Sequence, residues 1–195
     1  MRITKEKAEE NRQALVKAAG KLFRERGIDG VGVAEISKEA GLTHGALYAH
    51  FPSKDALAAE AFGHGAERSR ALLNTMMVDG KPDLDAFLDF YLSTEQRDNP
   101  AHSCAMAASA SEIGRQDASL SARFSESFER MAAMFEQHIA ATRPDADARA
   151  DALTIASALI GGVAAARATA KASPALSNEI LQSTRRVLGE LSSKL

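Results

Sequence analysis

Leu15, Ala18, Ala19, Leu22 and Phe23 recur at spacings of three and four, the period of a helix buried along one side. Arg24, Arg26 and then Gly27 form a C-terminal stop, so the pattern predicts a first helix over about Lys5–Arg26. Val33, Ile36 and Ala40 share one face of a short second helix. Gly41 then permits a tight turn, and Thr43 stands where it can cap a third helix running to about Phe51. Ser53 is placed to cap a long fourth helix through Leu57, Phe62 and Leu72. Beyond it the spacing predicts helices near 83–96, 104–115, 118–142, 146–169 and 177–193. Pro52, Pro82, Pro100, Pro144 and Pro174 all fall between these segments, as expected when an interior proline costs about 3 kcal/mol. No period-two alternation and no fixed-period repeat is present. The pattern is all-α.

Composition agrees with the pattern. The 195 residues include 39 Ala and 18 Leu against 6 Val and 8 Ile, no Trp and 5% aromatics, a balance that favours helix over sheet. With 45% hydrophobic and 26% charged residues, the chain is an ordinary globular one of one or two domains. The longest charge-free run, Ala152 to Ala166, has 15 residues, short of the roughly 18 to 20 needed to span a bilayer. Glu6, Glu9 and Glu10 stand where a secretory signal would need apolar residues, so the expectation is a cytoplasmic protein with no membrane partner. A single cysteine excludes a disulfide framework and a cysteine-based zinc site.

Charge decides less. The net charge is −2, with 10 Lys/Arg and 9 Asp/Glu in residues 1–60 and 14 and 17 in residues 61–195. A nearly neutral N-terminal segment binds nucleic acid only by placing a few cations locally.

The informative stretch runs from Val33 to Phe51. Two short helices joined at a glycine make the arrangement of a helix-turn-helix. At about 100° per residue, Leu47 and Phe51 point inward with Ile36, Ala40 and Leu42, while Gly45, Ala46 and Ala49 point away and Tyr48 and His50 flank them. Two readings fit that outer face: a surface for close approach to a major groove, or a solvated short helix.

The run from Leu15 to Leu57 resembles the DNA-binding domain of the TetR/AcrR family of bacterial transcriptional regulators. The resemblance is carried by Ala18-Ala19-Gly20-Lys21-Leu22-Phe23, Gly27 to Gly30, Ile36-Ser37-Lys38-Glu39-Ala40-Gly41-Leu42 and Leu47-Tyr48-Ala49-His50-Phe51-Pro52-Ser53-Lys54. It covers about a quarter of the chain, and the remaining helical length is what the family carries as a ligand-binding and dimerisation domain. Gly32 departs from the Thr often found there, and glycine is an acceptable N-cap. The resemblance implies a helix-turn-helix domain over 1–52 and a helical ligand-binding and dimerisation domain over 53–195. It implies that Thr43 caps the recognition helix and meets a phosphate, and that Tyr48, His50 and Lys54 touch the DNA backbone. Gly45 and Ala46 then face the bases, and His44 either meets a base edge or is merely solvated.

The same resemblance implies a homodimer built from the last two helices, able to bring two heads to a palindromic operator. Ile160, Gly161, Ala164, Ala165, Leu181 and Leu188 are the expected interface, although an Ala/Gly-rich face also suits an internal helix contact. The implied function is repression released by an apolar or amphipathic small-molecule effector, with Phe62, Phe87, Tyr91, Cys104, Met106 and Phe128 as candidate lining residues.

Cys104 allows two readings. After His102-Ser103 and before an Ala-rich helix it is either a small buried hydrophobe or a thiol at a helix start that senses electrophiles. The five histidines show no metal-ligand spacing, and no nucleophile–base pair or phosphate-binding glycine loop is present, so neither an enzyme nor a cofactor is expected. The alternatives are a regulator acting through Cys104 and a helical ligand-binding protein without operator binding.

Overall fold

The computed structural model describes residues 4–78 and 81–193, and it is helical throughout apart from one two-residue ladder. The chain falls into two compact units. One comprises the chain through Arg68 together with Pro100–Phe124, and the other Ser69–Asn99 together with the chain from Ser125 on. This division does not coincide with the expected line between residues 52 and 53. The added segment brings a helix, α7 (Ala105–Ile113), against α1 (Lys5–Arg26).

In the first unit, α1 begins at Thr4, whose hydroxyl accepts the Lys7 N–H, and ends at Gly27, whose φ of +80° suits glycine. Its inner side buries Leu15, Val16, Ala19, Leu22 and Phe23. Gly32 stands at the N-cap of α2 (Val33–Glu39), as anticipated. The turn after α2 uses Gly41 at φ +70°, and the Leu42 N–H reaches back to the Ser37 carbonyl at 2.8 Å. Then come α3 (His44–His50) and α4 (Lys54–Asn74), the latter capped by the Ser53 hydroxyl, which accepts the Ala56 N–H at 3.1 Å. Ile36, Leu47, Phe51 and Leu57 are buried, whereas Ala40 and Leu42 are half-buried. These short helices have little stability of their own, so their apolar sides fix them onto α1.

In the second unit, β1 (Met77–Val78) pairs antiparallel with β2 (Lys81–Pro82). One helix was expected over 83–96. Two are found, α5 (Leu84–Tyr91) and α6 (Thr94–Asp98). The apolar pattern continues through Leu92, but the Ser93 hydroxyl accepts the Gln96 N–H and starts a new helix there. The exposed carbonyl end of α6 is met by the Arg167 guanidinium, which donates to the Gln96 and Arg97 carbonyls at 2.9 and 3.1 Å. Helix α8 (Ala118–Thr142) starts in the first unit and continues into the second. The last two helices, α9 (Ala148–Thr169) and α10 (Pro174–Ser193), pack along each other. Pro174 is the first residue of α10 rather than a spacer before it, a position where its missing N–H costs nothing.

By length and composition α9 could cross a membrane. Its apolar side, Ala152, Ile155, Ala156, Leu159, Val163 and Ala166, is instead buried within the unit, and the Ser177 hydroxyl bonds the Ala166 carbonyl at 2.6 Å.

Candidate nucleic-acid interface

The head is tied together by its own charges. The Arg12 guanidinium, 4.7 Å above the centre of the Phe51 ring, forms a two-pronged pair with Glu60 and so links α1, the end of α3 and α4. Lys21 meets Glu39 at 2.6 Å, which raises the lysine pKa and lowers that of the carboxylate, and Arg26 pairs with Glu35. These cations are committed internally. Lys38 and Lys54 have no ion pair among the described residues.

With α3 held from inside by Leu47, its other face is bare. Thr43, His44, Gly45, Tyr48 and Ala49 are exposed, and Ala46 and His50 are half-buried at the flanks. Tyr48 is 56% exposed, unusual for a large aromatic ring in a folded unit. A Cβ added at Gly45 would meet nothing within 4 Å, so this position carries minimal bulk over open space. Lys54 is the first residue of α4 and half-buried. The sequence-derived set Thr43, His44, Gly45, Ala46, Tyr48, His50 and Lys54 thus gathers on and beside one short helix.

One expected detail is corrected. Thr43 has N-cap backbone geometry, φ −76° and ψ 156°, but its hydroxyl makes no capping bond. The local closure is backbone only, from the Ala46 N–H to the Thr43 carbonyl at 3.0 Å.

The six expected effector residues divide between the units. Phe62, Cys104 and Met106 are buried in the first, where the Phe62 ring lies 6.0 Å from that of Phe124. The adjoining cavity, bordered by Gly20, Phe23, Arg24, Phe62, Ala105 and Ser109, is only about 20 Å³, room for about one water. Phe87 and Tyr91 are buried in the second unit, 5.5 Å apart, with Phe135 5.9 Å from Phe87, while Phe128 is half-buried. Sequence reasoning missed a cleft of about 240 Å³ in that unit, bordered by Asp89, Leu92, Thr94, Asn178, Leu181 and Arg185. Its polar residues come from helices distant in sequence, so no local pattern announces it.

Cys104 sits at the N-cap of α7, 8% exposed, and its side chain makes no capping bond. Just before it, Arg24 donates to the Ala101 carbonyl and Arg68 to the His102 carbonyl at 2.6 Å. Burial, followed by the charge of Arg68, lowers the Arg24 guanidinium to about 10. No cluster of His, Cys, Asp or Glu suited to a metal ion occurs among the described residues.

The expected interface residues also divide. Gly161 and Ala165 are exposed and Ala164 is half-buried, but Ile160, Leu181 and Leu188 are 7%, 3% and 2% exposed within the single chain. Those three take part in packing within the chain. The large outward apolar residues of α10 are Leu176 and Val187, at 45% and 44%, with half-buried Ile180 between them.

Comparison with known proteins bears on the head most directly. Residues 15–61 match the model of the bacterial regulatory proteins, tetR family. The HTH-type transcriptional regulator AcrR of Shigella flexneri is 42% identical over 59 residues, 30% of this chain and 27% of that protein. The HTH-type transcriptional repressor BepR of Brucella suis is 46% identical over 54 residues, 28% of this chain and 26% of that protein. The matched stretch thus spans about a quarter of the length of these relatives. A TetR-family transcriptional regulator from Cytophaga hutchinsonii has the same fold over 100% of both chains, with a TM-score of 0.71 at 20% identity. The matched residues are those that build α1, α2, α3 and the start of α4 around the bare face of Tyr48, and over this quarter of the chain the protein is similar to the tetR family of bacterial regulatory proteins.

Proposed function

We propose that this protein is a cytoplasmic repressor of transcription that binds a palindromic DNA operator as a homodimer and is released by a small-molecule effector. The observation that carries the reading is the opposed character of α3, with Leu47 fully buried and Tyr48 56% exposed on the next residue. A head so anchored presents Gly45 and Ala46 close to a major groove, where an alanine methyl can pack on a thymine methyl. Tyr48, His50, Lys54 and the uncommitted Thr43 hydroxyl then meet phosphates, which fix register rather than sequence. Because α3 offers no Arg, Asn or Gln, groove shape and half-site spacing supply part of the specificity.

Dimerisation uses the outward side of α9, with Gly161 and Ala165, and the Leu176, Ile180 and Val187 stripe of α10. The effector is apolar or amphipathic, and it releases DNA by favouring a state whose heads no longer match the half-site spacing. Cys104 belongs to the packing of the first unit on this reading, since a thiol 8% exposed is shielded from reagents. Repression is favoured by the similarity of the head to that of BepR.

The test is selection of duplexes from a random pool by the purified protein. The expected result is enrichment of one inverted repeat and a retarded complex containing two protomers. Enrichment of no sequence would leave a ligand-binding helical protein.

A further inference from the structure

The connection between α1 and α2 is gripped from far along the chain. Asp29 lies on its exposed part, two residues after the left-handed Gly27. The Glu112 carboxylate, in the last turn of α7, accepts the Asp29 backbone N–H at 2.8 Å across 83 positions of sequence. It lies so close to the connection that a Cβ on Gly27 would stand 3.0 Å from Glu112 Oε2. Gln116, just beyond α7, donates from Nε2 to both carboxylate oxygens of Asp29 at 3.2 Å. Ile28 and Ile113, the sequence neighbours of Asp29 and Glu112, are each 4% exposed. One residue is therefore held by its backbone and by its side chain at once.

These contacts add nothing to the Ile36, Leu47 and Phe51 packing that makes the helix-turn-helix. They fix where α2 starts. Only Gly30, Val31 and Gly32 separate Asp29 from Val33, the first of α2, and Val31 between the two glycines is itself buried, 1% exposed, so the anchor at Asp29 lies within one short, inward-pinned link of the helix. A bond from a backbone N–H to an ionised carboxylate is also among the stronger kinds.

We propose that Glu112 is the positioning residue that sets the α1–α2 turn and, through it, the presentation of α2 and α3 to DNA. This rests on the DNA-binding reading above.

The experiment uses the full chain and a duplex selected from the random pool by wild type. Amide hydrogen exchange at Asp29 and affinity for that duplex are measured for wild type, Glu112→Ala, Glu112→Gln and Gln116→Ala. In Glu112→Ala the Asp29 amide is expected to lose its protection and the affinity to fall about tenfold, the scale of one lost charged hydrogen bond. Glu112→Gln keeps an acceptor oxygen and is expected to recover most of the affinity, which a merely charged surface residue would not do. Wild-type affinity in Glu112→Ala overturns the proposal. If that variant fails to fold, Gln116→Ala carries the test through faster Asp29 exchange and weaker binding, and wild-type values for both overturn it. A wild-type protein that enriches no duplex overturns the DNA-binding reading and the role of Glu112 with it. A wild type that binds no better than Glu112→Ala overturns the role of Glu112 alone.

Discussion

The Tyr48 ring stands edge-on to the His44 imidazole, one helical turn away, with ring centres 6.0 Å apart and planes at 75°. That contact steadies a side chain whose ring is otherwise more than half exposed. Exposed aromatic surface contributes little to folding, so the ring can be removed at small cost to stability. Lys54 likewise adds little to the stability of the fold. A cation in the first turn of α4 opposes the helix dipole, so its charge does not stabilise the helix that carries it.

Tyr48→Ala and Lys54→Ala should therefore weaken binding to the selected duplex and leave helix content and melting temperature close to wild type. For Lys54→Ala the log–log dependence of affinity on salt should also flatten by about one unit, the signature of one lost phosphate contact. Titrations at several salt concentrations read both quantities. Unchanged affinity and slope in both variants would remove these residues from the interface.

Ser37 makes the opposite case. Its hydroxyl is buried, 1% exposed, and has no hydrogen-bond partner among the described residues. An unsatisfied buried hydroxyl costs about 1–3 kcal/mol, and alanine is the better helix former. Ser37→Ala should raise stability by about 1 kcal/mol with unaltered DNA affinity, read from the urea midpoint. A lowered midpoint would mean that the hydroxyl is satisfied in solution.

Acid should loosen the start of α8. The Asp117 side chain accepts from the Ser119 hydroxyl and from the Ser119 and Leu120 N–H groups, and these bonds, led by the hydroxyl, hold its pKa below the ordinary 3.8. A carboxylate depressed in the folded state contributes stability that is complete above its unfolded value, about 3.9, and lost as pH falls through the lower folded value. Asp117→Ala should therefore melt below wild type at neutral pH, and the gap should close in strong acid. Thermal melts across that range check it, and a gap independent of pH would assign the effect to something other than the carboxylate.

Much of the head was legible because a single period governs it. Leu47 and Phe51 are four apart, Ile36 and Gly41 bracket the turn, and the outward positions follow by rotation. The break at Ser93 was hidden because Leu88, Tyr91 and Leu92 continue one apolar spacing across it, and only the serine hydroxyl marks the new start. The tie from Glu112 to Asp29 joins positions 83 apart and leaves no periodic trace. The last two helices posed a different difficulty. Each carries two apolar stripes, and periodicity cannot say which of them meets its own chain. The structure puts Leu181 and Leu188 inside and Leu176 and Val187 outside.

That distinction yields a sharp test of assembly. A Cβ at Gly161 would meet nothing within 4 Å, and Ala165 is exposed on the same side of α9. Gly161→Leu and Ala165→Arg are thus accommodated by the single chain and act only where a second chain would lie. A close-packed seam admits neither a branched side chain nor an unpaired charge. Val187→Glu, on the outward stripe of α10, should behave alike. All three variants should sediment as helical monomers and bind the selected duplex weakly, because one head grips one half-site. Leu181→Glu is the contrast, since a charge placed at a site 3% exposed should unfold the second unit rather than separate intact chains. Gly162 faces its own chain rather than the proposed seam. Its Cβ would meet the Thr184 side chain of its own chain at 3.0 Å, so Gly162→Ala should leave the oligomeric state unchanged. A dimeric Ala165→Arg protein would place the seam on another face of the molecule.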